Sequence, residues 1–165
     1  MDKQMLENKL EDITMSVLEQ AAFIFADPMR SRDNLEFADI RTLQISIDYE
    51  GEAHGTLLFI IPEAICSEIH CNMLGENETE SMTADCCHDA AKEIINIIGG
   101  HFLTEIYGRD AGIRLATPDI REIATDEIRG LISQNPAAVL STGEHCLCTV
   151  AIMTEKEYEY KGSGS

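Results

Sequence analysis

Four residues that could take part in chemistry occur at helical spacing within one stretch of the chain. They are Asp89, Glu93, Asn96 and Gly100, separated by four, three and four residues. At about 100° per residue, this spacing places all four along one line on the surface of a helix. The line offers two carboxylates, an amide that can donate and accept hydrogen bonds, and a position without a side chain.

The chemistry open to this set is limited by Asn96, whose amide has no useful pKa and acts only through hydrogen bonds. Acid–base catalysis by paired carboxylates needs two acids aimed at one atom, whereas Asp89 lies a full turn from Glu93. The sequence shows no evident Ser-His-Asp set, phosphate-binding glycine loop or quartet of metal ligands. The pattern therefore indicates chemistry that a partner completes. An ordinary solvated face stays open as the alternative, although Asn and paired glycines are unfavourable inside a helix.

The helix carrying these residues is predicted to span residues 85–107. Thr83 or Asp85 is expected to cap its start, and Gly108 to end it. Its apolar side chains fall within an arc of about 120° on the side opposite the polar line. That arc comprises Ala91, Ile94, Ile95, Ile98, Phe102 and Ile106. The helix should therefore bury one face in the core and present the polar line outward.

Hydrophobic periodicity predicts the elements on either side of this helix. Before it we expect an amphipathic helix over 2–25 ended by Asp27-Pro28, a hairpin of strands 40–49 and 53–61, and a helix over 63–73. After it we expect a short strand over 113–116, one or two helical turns over 125–133, and a hairpin of strands 137–141 and 146–153. The predicted fold is α/β (α+β), an antiparallel-rich sheet with two long helices packed on it.

Residues 1–155 are expected to form a single domain, and 156–165 a charged, Gly/Ser-rich, disordered tail. Among the 165 residues, 30 acidic against 12 basic side chains give a formal net charge of −18. This balance argues against nucleic acid and anionic membranes as partners. No apolar run reaches the ~18 residues of a membrane span, and the N-terminus lacks signal-peptide features. We expect a cytoplasmic protein.

Six cysteines and five histidines raise the alternative of a metal or redox protein. The cysteines lack the C-x2-C spacing that brings two thiolates to one zinc ion. Cys146 and Cys148 share the apolar face of a predicted strand and are expected to be buried. His88 and His101 are too far apart on the helix for shared ligation, and we expect His101 to be packed or half-exposed. No metal site is predicted.

The pattern D-x3-E-x2-N-x3-G resembles the signature helix of the CheC/CheX/FliY chemotaxis phosphatase family. Gly55-Thr-Leu-Leu-Phe-Ile-Ile-Pro62 and Gly112-Ile-Arg-Leu-Ala-Thr-Pro118 look like the strands that precede and follow that helix in CheX. The resemblance covers residues 35–155. The pattern occurs once, as in CheX, where CheC usually carries two. The chain departs from the family pattern in the two isoleucines after Asn96 and in Gly99.

The resemblance implies a CheX-like phosphatase of two-component signalling that hydrolyses the aspartyl phosphate of a CheY-like response regulator. In that family the residue matching Asn96 orients the attacking water, and the residue matching Glu93 pairs with the regulator's active-site lysine. Asp89 and Gly100 would frame the partner contact. The resemblance further implies a homodimer formed through sheet edges, no cofactor bound by this chain, and Mg²⁺ in the regulator. The alternative is a non-catalytic binding or scaffold module similar to FliM, which lacks the Glu/Asn pair.

Overall fold

The computed structural model describes residues 1–32, 35, 40–75 and 84–154. Within them, seven strands form one sheet and four helices pack on it. The elements in chain order are α1 (Lys3–Ala22), β1 (Asp27–Pro28), β2 (Thr42–Gly51), β3 (Gly55–Pro62), α2 (Glu63–Leu74), α3 (Ala84–Tyr107), β4 (Ile113–Leu115), β5 (Asp119–Glu122), α4 (Thr125–Gln134), β6 (Ala137–Ser141) and β7 (Cys146–Met153).

All strand pairs in the sheet are antiparallel. The order is β1-β6-β7-β3-β2-β4, and β5 also pairs with β2. The two predicted hairpins, β2–β3 and β6–β7, are confirmed. β3 lies in the middle, where Phe59 faces one core and Ile60 the other, so this strand is apolar on both faces. The predicted fold class is confirmed.

Three helices cover one face of the sheet and α4 covers the other. The larger core joins α1, α2 and α3 to the sheet, and the smaller one holds Ile128 and Ile132 of α4. On α3, five of the six residues of the predicted apolar arc are fully buried, and Ile106 is partly buried. α1 is joined to β7 by a buried hydrogen bond of 2.9 Å between the hydroxyls of Thr14 and Thr149.

The predicted end of the first helix is wrong. α1 ends at Ala22 because Phe23 takes a left-handed conformation with φ of 52°. The backbone N–H of Ile24 then bonds the carbonyl of Leu18 at 3.0 Å, and the Ile24 side chain enters the core. Pro28 lies in the short edge strand β1, where its missing N–H leaves no ladder bond unmade.

Three smaller expectations also differ from the structure. Asp85 lies in the first turn of α3 and does not cap it, since the helix begins at Ala84. α4 has ten residues, more than the one or two turns predicted, because burying Ile128 and Ile132 favours a longer amphipathic helix. β5 was not predicted. Thr83 and the tail 156–165 lie outside the described residues.

The edges of the sheet are β1 on one side and β4 with β5 on the other. Homodimerisation through such an edge stays a prediction. Of the helices in the described part of the chain, none has both the length and the apolar character to span a membrane.

Candidate functional site on helix α3

The four residues predicted to form the site lie together on the outer face of α3. The helix packs its apolar arc against the sheet, α1 and α2, which leaves the opposite line facing solvent. Asp89, Glu93 and Gly100 are exposed, and Asn96 is half-buried. The predicted arrangement of this face is confirmed, with Glu93 about one turn before the amide and Gly100 about one turn after it.

The polar groups of this line are available to a partner. Within the described residues, the side chains of Asp89, Glu93 and Asn96 form no hydrogen bond or ion pair. One turn beyond, Glu105 is bound to Lys9 of α1 at 3.2 Å. Free, hydrated groups exchange water for a partner's groups without first breaking an internal bond. These side chains are therefore accessible to another molecule.

The two adjacent glycines have different surroundings. A Cβ placed on Gly100 would meet no atom within 4 Å. A Cβ on Gly99 would lie 3.2 and 3.3 Å from the two methyl carbons of Leu115 and 3.6 Å from a methyl of Leu57. Gly99 therefore allows α3 to approach the sheet closely, whereas no contact within the described residues requires glycine at position 100.

An open groove of about 570 Å³, here called the Asn96 groove, runs along the helix from the amide toward the C-terminal end of α3. Its lining residues are Asn96, Ile97, Gly100, His101, Thr104, Glu105 and Arg109. A smaller groove of about 220 Å³, the Gly108 groove, lies against β4 and shares Gly100, Thr104 and Arg109. The hydroxyl of Thr104 donates to the carbonyl of Gly100 at 2.9 Å, so this carbonyl has a second partner inside the helix.

Two residues of the Asn96 groove differ from expectation. His101 is exposed, so the prediction that it is packed or half-exposed is wrong. A further groove beside Lys9 and Ile13 separates it from α1, which leaves the imidazole in solvent. Arg109 was missed. The sequence feature that could have indicated it is Gly108, the predicted end of the helix. In the structure Gly108 has a φ of 88°, so the chain turns there and the side chain of the next residue can lie back against the helix.

No disulfide joins the six cysteines, which all lie in the described part of the chain, and four of them are buried. Burial raises the pKa of Cys66 and of Cys148 to about 12, and the thiol of Cys66 donates to the carbonyl of Cys87 at 2.9 Å. Protonated, buried thiols are poor nucleophiles and poor metal ligands. Among the described residues, no group of three or more His, Cys, Asp or Glu side chains could hold a metal ion. Cys148 is buried in the smaller core as predicted, whereas Cys146 is only partly buried against it.

Comparison with known proteins identifies the family. The sequence model of the chemotaxis phosphatase CheX matches residues 43–139, which is more than half of the chain and includes all of α3. The chain belongs to the CheX family. No protein with a curated description matches the sequence.

Solved structures of CheX proteins share the fold of this CheX-family chain. CheX from Desulfovibrio desulfuricans superposes with a TM-score of 0.66 at 15% identity, covering 90% of this chain and 99% of the other. CheX from Vibrio vulnificus gives 0.64 at 18% identity, covering 90% and 98%. CheX in the CheX–CheY–BeF3–Mg²⁺ complex from Borrelia burgdorferi gives 0.58 at 15% identity, covering 88% and 95%. At these identities the likeness concerns the fold alone, so residue roles rest on this chain's own geometry.

Proposed function

We propose that this protein is a phosphatase that accelerates hydrolysis of the aspartyl phosphate of a CheY-like response regulator. The observation that carries the proposal is the free pair of Glu93 and Asn96 on the solvent-facing side of α3, followed by the open position at Gly100. The family's description as a chemotaxis phosphatase supports the reaction. The complex of a structurally similar CheX with CheY supports the partner.

The reaction needs little from this chain beyond placing a water molecule. An aspartyl phosphate is an acyl phosphate, whose carboxylate is already a good leaving group. The water oxygen attacks phosphorus while the bond from phosphorus to the carboxylate oxygen breaks and its electron pair stays with the aspartate. The products are the free aspartate and inorganic phosphate, and the proton lost by the water passes to phosphate or solvent. Holding the water in line lowers the barrier chiefly through positioning.

In the proposed mechanism, the side-chain amide of Asn96 holds this water. The amide accepts a hydrogen bond through its oxygen and donates through its nitrogen, so it can fix both the place and the orientation of the water. The exposed outer face of α3 allows the amide to enter the active site of another protein. Gly100, one turn later, leaves space for the backbone of that protein to approach.

Glu93 acts in docking. A carboxylate beside Asn96 can form a charge-assisted hydrogen bond with the regulator's active-site lysine, which would hold the amide over the phosphoryl group. Asp89, one turn earlier, adds negative charge at the same end of the contact. The Mg²⁺ of the reaction belongs to the regulator.

The test is replacement of Asn96 by Ala in a dephosphorylation time course. Regulators of the same genome are labelled with acetyl phosphate, and phosphate release is followed with and without this protein. Asn96→Ala should lower the accelerated rate by about 10² or more, because in-line positioning contributes several kcal/mol to the barrier. Its circular dichroism should stay parental and its melting temperature should not fall, since the amide makes no hydrogen bond within the described residues and alanine is the better helix former.

A matched control is Asn8→Ala, which removes an exposed helical asparagine of α1 outside the Asn96 groove. It should leave the rate unchanged. An Asn96→Ala protein that keeps more than half the parental rate would exclude water positioning by this amide. A wild-type protein that binds the regulator and does not accelerate hydrolysis would instead support the non-catalytic, FliM-like alternative.

A further inference from the structure

Arg109 occupies a distinctive position beside the proposed site. It directly follows Gly108, which ends α3 with a positive φ. Its exposed side chain lines the Asn96 groove and the Gly108 groove, together with Gly100 and Thr104. A molecule that covers Asn96 and extends along α3 would therefore meet this guanidinium.

The guanidinium of Arg109 is free although the chain is strongly acidic. Within the described residues it forms no ion pair or hydrogen bond. Four other arginines each pair with a carboxylate, namely Arg32, Arg41, Arg114 and Arg121. The neighbouring Asp110 lines neither groove. A protein of net charge −18 repels the acidic surface of a partner over most of its own surface. An unpaired guanidinium attracts that surface locally.

Among the charged residues of the line and of the Asn96 groove, those without an ion pair in the described part of the chain differ in sign between the two ends, since Glu105 is paired with Lys9. Asp89 and Glu93 lie toward the N-terminal end, and Arg109 lies just past the C-terminal end. At 1.5 Å per residue, the axial distance to Tyr107, the last residue of α3, is about 21 Å from Glu93 and about 17 Å from Asn96. This separation exceeds the reach of an arginine side chain. Arg109 therefore lies toward the end of the Asn96 groove that is farther from the amide.

We propose that Arg109 binds a carboxylate on the surface of the regulator, outside its phosphorylation site, and so aligns the regulator along α3. This inference rests on the proposed function. Glu93 binds the regulator's active-site lysine at one end of the contact, and Arg109 binds a carboxylate of the regulator at the other end. A regulator lying in the reverse direction would place like charges together at both ends, which disfavours that orientation.

The experiment compares Arg109→Gln and Arg109→Glu with the same changes at Arg129. Arg129 is also exposed and unpaired within the described residues, but it lies on α4, across the sheet from α3. The net charge changes equally at both positions, so the comparison separates local docking from long-range attraction. Binding is measured by calorimetry to a CheY-like regulator loaded with beryllofluoride and Mg²⁺, and KM and kcat with the phosphorylated regulator.

We expect Arg109→Gln to raise Kd and KM about 2- to 5-fold, and Arg109→Glu to raise them about 10-fold or more. The loss should fall on KM rather than kcat and should shrink at high ionic strength. The Arg129 variants should change Kd less than about 2-fold at physiological salt.

Equal losses from Arg109→Glu and Arg129→Glu would overturn the inference and leave the proposed function standing. A lowered kcat with unchanged KM would also overturn it, because Arg109 would then act on the reacting group. If the wild-type protein neither binds the regulator nor accelerates hydrolysis, the proposed function fails, and this inference fails with it.

Discussion

Replacing Gly100 by Ala is expected to separate the stability of this protein from its activity. The added methyl would meet no atom within 4 Å, so the substitution brings no clash within the described residues. In the interior of α3, alanine is favoured over glycine by about 0.8–1 kcal/mol. A gain of this size corresponds to a rise in melting temperature of about 2–4 °C for a chain of this length.

The same change at the preceding residue should not stabilise the protein. In Gly99→Ala, the methyl would lie 3.2 and 3.3 Å from the two methyl carbons of Leu115, so Leu115 must move by a few tenths of an ångström. Overpacking of this kind costs about 1–3 kcal/mol, which offsets the gain in helix propensity. We expect a net change between zero and a loss of about 2 kcal/mol.

The effect on activity should run the other way at Gly100. If the regulator's backbone packs against this position, the extra methyl pushes the amide of Asn96 out of line with the phosphoryl group. A displacement of about 1 Å can cost roughly 10² in rate. Gly99→Ala should lose activity only in proportion to lost folding.

The assay combines thermal unfolding with the phosphate-release time course, both performed on the two variants and the wild type. A Gly100→Ala protein that melts higher and hydrolyses at the parental rate would show that this face is not the docking surface. A Gly99→Ala protein stabilised as much as Gly100→Ala would refute the packing argument against Leu115.

Two further predictions concern charge and ionisation. Glu93→Gln should weaken binding to a beryllofluoride-loaded regulator by about 1–3 kcal/mol, and Glu93→Lys by more, as measured by calorimetry; unchanged affinity in both would remove Glu93 from docking. The pKa of about 12 for Cys66 and Cys148 means that, from pH 9 upward, these thiols ionise in the unfolded chain first. Stability should be fully present below pH 9 and fall by about 1.4 kcal/mol per pH unit for each thiol toward pH 12. Urea midpoints at pH 8 and 10 test this, because Cys148→Ala should show the shallower fall; an equal fall in both proteins would contradict it.

The elements that could be predicted from sequence are those whose own side chains decide their conformation. The apolar arc of α3 repeats with helical period, and β7 is a short apolar run of eight residues whose predicted bounds agree with the structure. β5 was missed because its side chains are mostly charged. Its strand conformation comes from pairing with β2, where Ile120 lies opposite Ile45. Likewise, α1 ends early because the core takes up Ile24, a tertiary effect that local pattern does not show.

The candidate site divides in a similar way. The line from Asp89 to Gly100 depends only on spacing within one helix, so sequence was sufficient to find it. The exposure of His101 depends on how closely α1 approaches α3, and the place of Arg109 depends on the path of the chain after Gly108. The first is set by packing between helices far apart in sequence, and the second by the backbone path past a helix end, which helical spacing alone does not predict.

The central strand β3 has a consequence for the order of events during synthesis. It pairs with β2 early in the chain, but its other neighbour is β7, which is the last of the described strands to leave the ribosome. Until β7 arrives, β3 presents an open apolar edge, and the buried hydroxyl of Thr14 lacks its partner on Thr149. The sheet on which α3 packs is therefore completed after α3 itself has been synthesised. Nascent chains that already contain the whole of α3 still lack the 46 residues, 108–153, that complete the described sheet. During this interval they are most exposed to edge-to-edge aggregation.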